Sequence, residues 1–196
     1  MTVSTLSVVP EATASGTAPN AEPDTTVYQL MQPWHLSWRA DPQLLELADR
    51  HYSRQSPGSA QFVPPGRCLV LRTVGARAGW VTSWPYAAFT RHRWSGALVN
   101  CFFRREAGPR ASELIVAATA ATRAHWPDLP PLGMVSFVDR TKIRHKRDPG
   151  RCYRRAGWTT VGHTKGGLLV FQLRPEDFPP ACPAQGEQLR LFEVVA

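Results

Sequence analysis

Apolar positions from Val27 onward fall into short runs and two longer stretches with helical spacing. VYQLMQPWHLSW, residues 27–38, is apolar and aromatic enough for a strand, interrupted at Pro33. Asp41-Pro42 reads as an N-cap followed by proline at the first helical position, and Leu44, Leu45, Leu47 and Ala48 give the next turns an apolar face. That helix ends near His51-Tyr52-Ser53, ahead of the loop SPGSAQFVPPG. CLVLRT (68–73) and GWVTSWPY (79–86) are short strands joined by a Gly-containing turn, as in a hairpin, and ALVNCFF (97–103) is a third strand. Ser112 reads as the cap of a helix ELIVAATAATRAHW, favoured by its alanines and stopped by Pro127. The strand GMVSFVD follows, then a basic loop, a short helix between Pro149-Gly150 and Gly157, and a hairpin of TTVGHT and GLLVFQL around Lys165-Gly166-Gly167. The order is strand, helix, three strands, helix, strand, helix, two strands, which predicts an α/β (α+β) domain over 27–174. Residues 1–26 hold no Lys, Arg or aromatic residue and are expected to be a disordered tail. Residues 175–196 read as a Pro-rich linker with a short tail.

The 196 residues, 43% hydrophobic, suffice for one domain with a substantial core. Charge adds more. The net charge is +8, and between Asp139 and Lys165 nine basic residues stand against two acidic ones, a local net charge of +7. Such a concentrated field attracts phosphate backbones, which makes Lys142, Arg144, Lys146, Arg147 and Arg151 candidate DNA contacts; a solvated basic surface is the alternative. Cys68, Cys101, Cys152 and Cys182 show no C-x-x-C and no paired His spacing, so they read as reduced thiols and no metal site is expected from them. No apolar run approaches the roughly 18 residues of a membrane span, and the N-terminus lacks the regions of a signal peptide. The expectation is a cytoplasmic protein with no membrane partner.

Two places carry candidate chemistry. The turn from Arg105 to Arg110 precedes the long helix, where unpaired backbone N–H groups can face an anion and Gly108 allows close approach. A turn capped by Ser112 without any ligand is the alternative. Tyr153 and Gly157 fall on one helix face, so the missing side chain leaves space beside the phenol. A phenol of pKa about 10 can protonate a leaving group of similar basicity. The alternative is a core tyrosine with its hydroxyl satisfied.

The element order and Tyr153-x-x-x-Gly157-Trp158 resemble the GNAT acyltransferase fold, whose penultimate helix ends in a Tyr-x-x-x-Gly-Phe pattern and whose long helix follows a Q/R-x-x-G-x-G/A pyrophosphate loop. Arg105-x-x-Gly108 matches the first half of that loop; its second small residue is replaced by Arg110 or shifted to Ala111. The resemblance implies a central mixed, twisted sheet flanked by helices. It also implies a donor site at Arg105, Gly108, Arg110, Ser112 and Glu113, for acetyl-CoA or another acyl or glycyl donor.

More narrowly, RASELIVAATAATRAHW, SFVD and CYRRAGW are similar to the Mom family of phage DNA-modification proteins, GNAT-like enzymes that place a carbamoylmethyl group on the exocyclic amine of adenine. His51-Tyr52-Ser53 matches a His-Tyr-Ser segment of that family, Asp139 its strand-end Asp, and Tyr153 its Tyr before a Gly-aromatic pair. This resemblance spans Trp34 to Leu173 and implies a phage or prophage enzyme that protects DNA from restriction, with Asp139, Tyr153, His51 and Tyr52 as catalytic candidates. Asp139 would orient or deprotonate a poorly nucleophilic amine, and the adenine would be flipped out and stacked on Trp80, Trp84 or Tyr86. The family's iron dependence would draw on His51, although one His and one Asp are too few ligands for a site. Two other readings keep the shell and change the function: an N-acetyltransferase acting on tRNA or on a protein or small-molecule amine, and a non-catalytic DNA- or clamp-binding protein.

Gln188-Leu189-Arg190-Leu191-Phe192 resembles the Gln-Leu-x-Leu-Phe peptide with which bacterial proteins bind the DNA sliding clamp. Leu191 and Phe192 would fill an apolar pocket while Gln188 makes polar contacts, with an amphipathic last strand as the alternative. The expected partners are therefore DNA and the clamp.

Overall fold

The computed structural model describes residues 32–86, 93–143 and 147–186. The tail read over 1–26, Arg144 and Lys146 of the basic loop, and the clamp-like Gln188, Leu189, Leu191 and Phe192 lie outside the described residues. The elements are β1 (His35–Leu36), α1 (Pro42–Asp49), β2 (Arg67–Arg72), β3 (Ala78–Trp84), β4 (Leu98–Arg105), α2 (Ala111–His125), β5 (Met134–Val138), α3 (Arg151–Arg155), β6 (Thr159–His163) and β7 (Leu169–Leu173). Their order is the expected one. They form a mixed α/β domain with one seven-stranded sheet ordered β1-β2-β3-β4-β5-β7-β6. β4 and β5 are parallel and all other neighbours antiparallel.

Strand alternation sorts the core into two sides. Leu69, Leu71 and Trp80 join the large cluster with Leu114, Ile115 and Ala118 of α2 and Tyr153 of α3. Val70 and Val81, one position along, join Leu44, Leu47 and Ala48 of α1. So α1 lies on one face of the sheet, and α2 with α3 on the other. Helix α1 starts where Asp41 caps it, its carboxylate accepting from the Gln43 N–H at 2.8 Å, with Pro42 in the first turn. Gly79 is the contact that seats it: a Cβ there would lie 2.6 Å from Leu44 Cδ2 and 2.8 Å from Phe102 Cε1. Burying Leu44 and Leu47 contributes roughly 1.5–3 kcal/mol each.

Two expected elements differ from the structure. Among the described residues of the first predicted strand, His35 and Leu36 pair with β2; beyond them the Ser37 hydroxyl donates to Asp41 at 2.6 Å and the chain turns into α1. The segment 175–186, read as a linker, packs onto the domain instead. Phe178, Cys182 and Ala184 are buried, the Cys182 N–H donates to the Ala120 carbonyl at 3.2 Å, and Gln185 bridges to His35 beside β1. Its prolines signalled irregular backbone correctly; its scattered apolar residues, with no period, carried the packing.

Candidate functional site

The central feature is a gap between the two parallel strands. β4 and β5 pair only from Leu98–Met134 to Asn100–Ser136; beyond that, β4 continues against β3 and β5 against β7. The cause is a β-bulge. Val81 faces Phe102 and Thr82 faces Asn100, so Cys101 is an extra residue in β4. A bulge bends the strand and increases its twist, and here it turns β4 away from β5. It also breaks the alternation, so that Cys101 and Phe102 both pack on the α1 side. The result is a V-shaped window through the sheet at the C-terminal ends of β4 and β5.

At its apex is a buried polar network. Asn100 Oδ1 accepts from the Tyr153 hydroxyl at 2.7 Å and from the Ser136 hydroxyl at 3.2 Å, while its Nδ2 donates to the Phe102 carbonyl at 2.9 Å and the Val81 carbonyl at 3.2 Å. All four bonding directions of the amide are in use. The Tyr153 ring stacks on Phe171 with centroids 5.4 Å apart and meets Trp158 edge-on at 5.2 Å. Burial pushes the Tyr153 phenol well above the usual tyrosine range. Its proton is directed to Asn100, so the geometry makes Tyr153 the satisfied core tyrosine of the two alternatives. Neither Asn100 nor Ser136 had been expected to matter. Their signal was a single polar residue within each of two apolar strand runs, ALVNCFF and MVSFV.

His51 and Tyr52 cross the window from the α1 side. Arg50 and Arg104 both bind Glu106, and the Arg104 guanidinium donates to the Arg50 carbonyl, tying the end of α1 to the end of β4. The His51 ring hydrogen-bonds the Phe103 backbone, and its Nδ1 accepts from the Ser53 N–H at 3.3 Å and contacts the Ser53 hydroxyl at 2.7 Å. Burial and the Arg104 charge together hold its pKa at about 4, against the Phe103 hydrogen bond. His51 is thus a neutral strap holding the loop on β4. Tyr52 packs against it at 4.4 Å and reaches the far side of the window, where its hydroxyl hydrogen-bonds the Asp139 backbone. Burial raises its pKa and that backbone bond opposes the rise. The two phenols, from opposite faces, are close enough for Tyr52 to raise the pKa of Tyr153.

Asp139 ends β5 at the mouth of the window. Its Oδ1 accepts from the Thr141 hydroxyl at 2.7 Å and the Thr141 N–H at 2.8 Å, and these bonds, led by the hydroxyl, lower its pKa. It is an ionised carboxylate suited to accepting a hydrogen bond from an amine and poorly suited to removing its proton. The basic loop leaves the sheet here, with Arg140, Lys142, Arg147 and Arg151 exposed. Asp139 and the exposed Lys142 are therefore at the end of β5 with Tyr52 beside Asp139, while His51 lies on β4 at Phe103, Tyr153 bonds Asn100, and Arg147 and Arg151 are exposed further along the chain.

The donor-loop candidates are occupied by their own neighbours. Arg105 donates to the Pro109 carbonyl at 2.5 Å and the Gly108 carbonyl at 2.8 Å, and the Arg110 N–H donates to the Glu113 carboxylate at 3.0 Å. Gly108 has φ +92°, a conformation that favours glycine in this turn without a ligand. Arg110, not Ser112, is the N-cap; Ser112 is already helical because the chain enters α2 at Ala111. The Glu113 carboxylate takes the place at the helix start that an anion would fill.

Three aromatic candidates are elsewhere. Trp80 is fully buried, its Nε1 donating to the Thr82 hydroxyl at 2.7 Å. Trp84, with the Arg67 guanidinium 4.4 Å above it, and Tyr86 lie at the other end of β3, since Ala78 rather than Trp84 pairs with Arg105. A base held at Asp139 cannot stack on them. Among the described residues no three His, Cys, Asp or Glu side chains form a metal-ligand set, so the iron implied by the resemblance finds no cradle there. The four cysteines form no disulfide, and burial pushes the Cys101 thiol well above its ordinary value, which leaves it unreactive. No described helix is long and apolar enough to cross a membrane.

The His51 strap predicts acid lability. Its pKa of about 4 lies below the ordinary 6.5, so between those values the unfolded chain binds the extra proton. This contribution is complete above pH 6.5 and falls by about 2 kcal/mol as pH drops to 4, after allowance for the partial exposure of the ring. Urea unfolding at pH 7 and pH 4.5 should show the loss, and His51→Gln should flatten it; an equal slope in the variant would assign the lability to other groups.

No protein-family model, no curated protein and no solved structure matches this chain.

Proposed function

We propose that the chain is a GNAT-like, Mom-type transferase that modifies DNA bases, with the N6 amine of adenine as acceptor and the window between β4 and β5 as its site. The observation that carries this reading is the coincidence, at the end of β5, of Tyr52 and Asp139 with the exposed cations Arg140 and Lys142 that follow directly in the chain. A carboxylate that can hold an amine beside a surface that attracts phosphates suits a base on a nucleic-acid strand. The element order on which the GNAT resemblance rests is also the order of the fold. The self-satisfied turn at Arg105–Arg110 favours a donor other than acetyl-CoA. The sliding clamp belongs to the same proposal as partner of the tail, which follows Gly186 at the β1 edge, three strands from the window.

The test is mass spectrometry of nucleosides from bacteria expressing the chain. A mass-shifted deoxyadenosine that disappears with Asp139→Ala is the expected result. Unmodified DNA across several hosts would refute the proposal, and a shifted nucleoside confined to tRNA would move the acceptor to RNA.

A further inference from the structure

The edge of the sheet at which the window opens carries positive charge on both sides. β4 ends at Arg105 and β5, parallel to it, ends one residue before Asp139, so both strands run out at the same edge. On the β5 side Arg140 and Lys142 are exposed. On the β4 side stand Arg105 and, in the turn between β2 and β3, Arg77, both exposed. Strand pairing brings these two together: Ala78 faces Arg105 in the ladder, and the Arg77 carbonyl accepts from the Glu106 N–H at 2.8 Å. The carboxylates of this edge are already engaged, since Glu106 binds Arg50 and Arg104, Glu113 binds Arg110, and Asp139 accepts from Thr141. None of the described ion pairs includes Arg77, Arg105, Arg140 or Lys142, which leaves their charge for an external anion.

We propose that Arg77 and Arg105 form the second bank of a nucleic-acid track, so that a strand laid across the window rests phosphates on them on one side and on Arg140 and Lys142 on the other. This rests on the transferase reading above and names the course its substrate takes. The ionised Asp139 carboxylate repels phosphate, so a nucleotide presented to it is held by the phosphates on either side rather than by its own. β4 and β5 are about 4.8 Å apart where they pair and further apart where they splay, a separation that one strand can bridge. Arg105 is already held in position. Its guanidinium donates to the Pro109 and Gly108 carbonyls, using two of its five N–H groups and none of its charge. The turn that the resemblance assigns to a donor pyrophosphate thus serves the acceptor strand, while Glu113 fills the helix start.

The test is the salt dependence of binding, read by fluorescence anisotropy of a labelled oligothymidylate titrated with the full chain between about 50 and 200 mM salt. Phosphate contacts carry no base preference, so this strand serves. Each contact to a single strand contributes roughly 0.7 to the slope of log K against log salt. Arg77→Gln, Arg105→Gln and Arg140→Gln should each lower the slope by about that amount, so the affinity advantage of the wild type shrinks about 2.6-fold across the range. Arg105→Lys keeps the charge and should keep the slope. Arg67→Gln removes an equal charge at the opposite end of β2, where Arg67 faces Trp84, and should leave the slope unchanged. Arg77, whose side chain takes part in none of the described hydrogen bonds, decides the matter if Arg105→Gln disturbs its turn. Slopes unmoved by Arg77→Gln and Arg105→Gln, a loss as large in Arg67→Gln, or no binding at all overturns the second bank. Lowered slopes without any modified nucleoside would uphold the track and refute the transferase; modified adenine with slopes unmoved by Arg77→Gln and Arg105→Gln would do the reverse.

Discussion

Gly150→Ala is expected to destabilise the protein by about 3–4 kcal/mol, the sum of a left-handed conformation forced on a residue with a Cβ and an overpacked core. Gly150 has φ +80°, and a Cβ on it would stand 2.0 Å from Phe171 Cζ and 2.4 Å from Cε2. The ring cannot give way. Phe171 is fully buried in β7, flanked by Ser136 of β5 and Thr160 of β6, with the stacked Tyr153 ring at 5.4 Å and the Arg154 guanidinium 5.7 Å from its centroid. Displacing it would push Tyr153 off Asn100, so the injury travels from the start of α3 to the apex of the window. Gly157→Ala separates the two causes, because Gly157 has φ +86° but nothing within 4 Å of its Cβ position. That control should lose only about 1–2 kcal/mol. Urea unfolding measures both, and at roughly 2–4 °C per kcal/mol for a chain of this size Gly150→Ala should lower Tm by about 10 °C. Equal losses in the two variants would show that the Phe171 contact is not the cause.

Gly150 also marks how far the sequence could be read. Its place in a Pro-Gly start to a short helix was legible; its contact with Phe171, 21 residues on, was not, because no local pattern encodes which ring a turn will meet. Element order was legible for a related reason: each strand and helix is specified within its own residues by capping, period and turn chemistry, as at Asp41-Pro42 and Lys165-Gly166-Gly167. Asp139 and Tyr52 were found through resemblance, yet their adjacency depends on a bulge at Cys101 that no spacing in ALVNCFF announces. The same bulge decides Tyr153. Helical spacing left it as either an acid or a core residue, and only the partner of its hydroxyl distinguishes the two. Ser112 shows the limit of cap reading, since both Arg110 and Ser112 precede apolar turns and the Glu113 carboxylate, reaching back three residues, favours the first.

Asn100→Ala should cost about 3–5 kcal/mol, because it leaves the Tyr153 hydroxyl, the Ser136 hydroxyl and the Phe102 carbonyl without their partner in a site that is 4% exposed, at roughly 1–3 kcal/mol for each group with no substitute. The Val81 carbonyl is cushioned, since the Cys101 thiol also approaches it at 3.5 Å. Asn100→Asp is the sharper probe. It preserves shape and still accepts from Tyr153 and Ser136, but a carboxylate cannot donate to the two carbonyls, and burial favours its protonated form. With its native pKa raised, the folded state binds the extra proton as pH rises above the ordinary carboxyl value of about 3.9, so stability falls with increasing pH. The two variants should therefore differ in slope as well as size: measured against wild type at each pH, the deficit of Asn100→Ala changes little, whereas that of Asn100→Asp is smaller at pH 5 than at pH 8. Urea unfolding across that range reads both. Combining Asn100→Ala with Tyr153→Phe should cost less than the sum of the single changes, because both remove the same Tyr153–Asn100 bond, with the Ser136 hydroxyl beside the phenol limiting the difference. Additive losses would mean that the Tyr153–Asn100 bond does not hold the apex together, and the window would then depend on the Cys101 bulge alone.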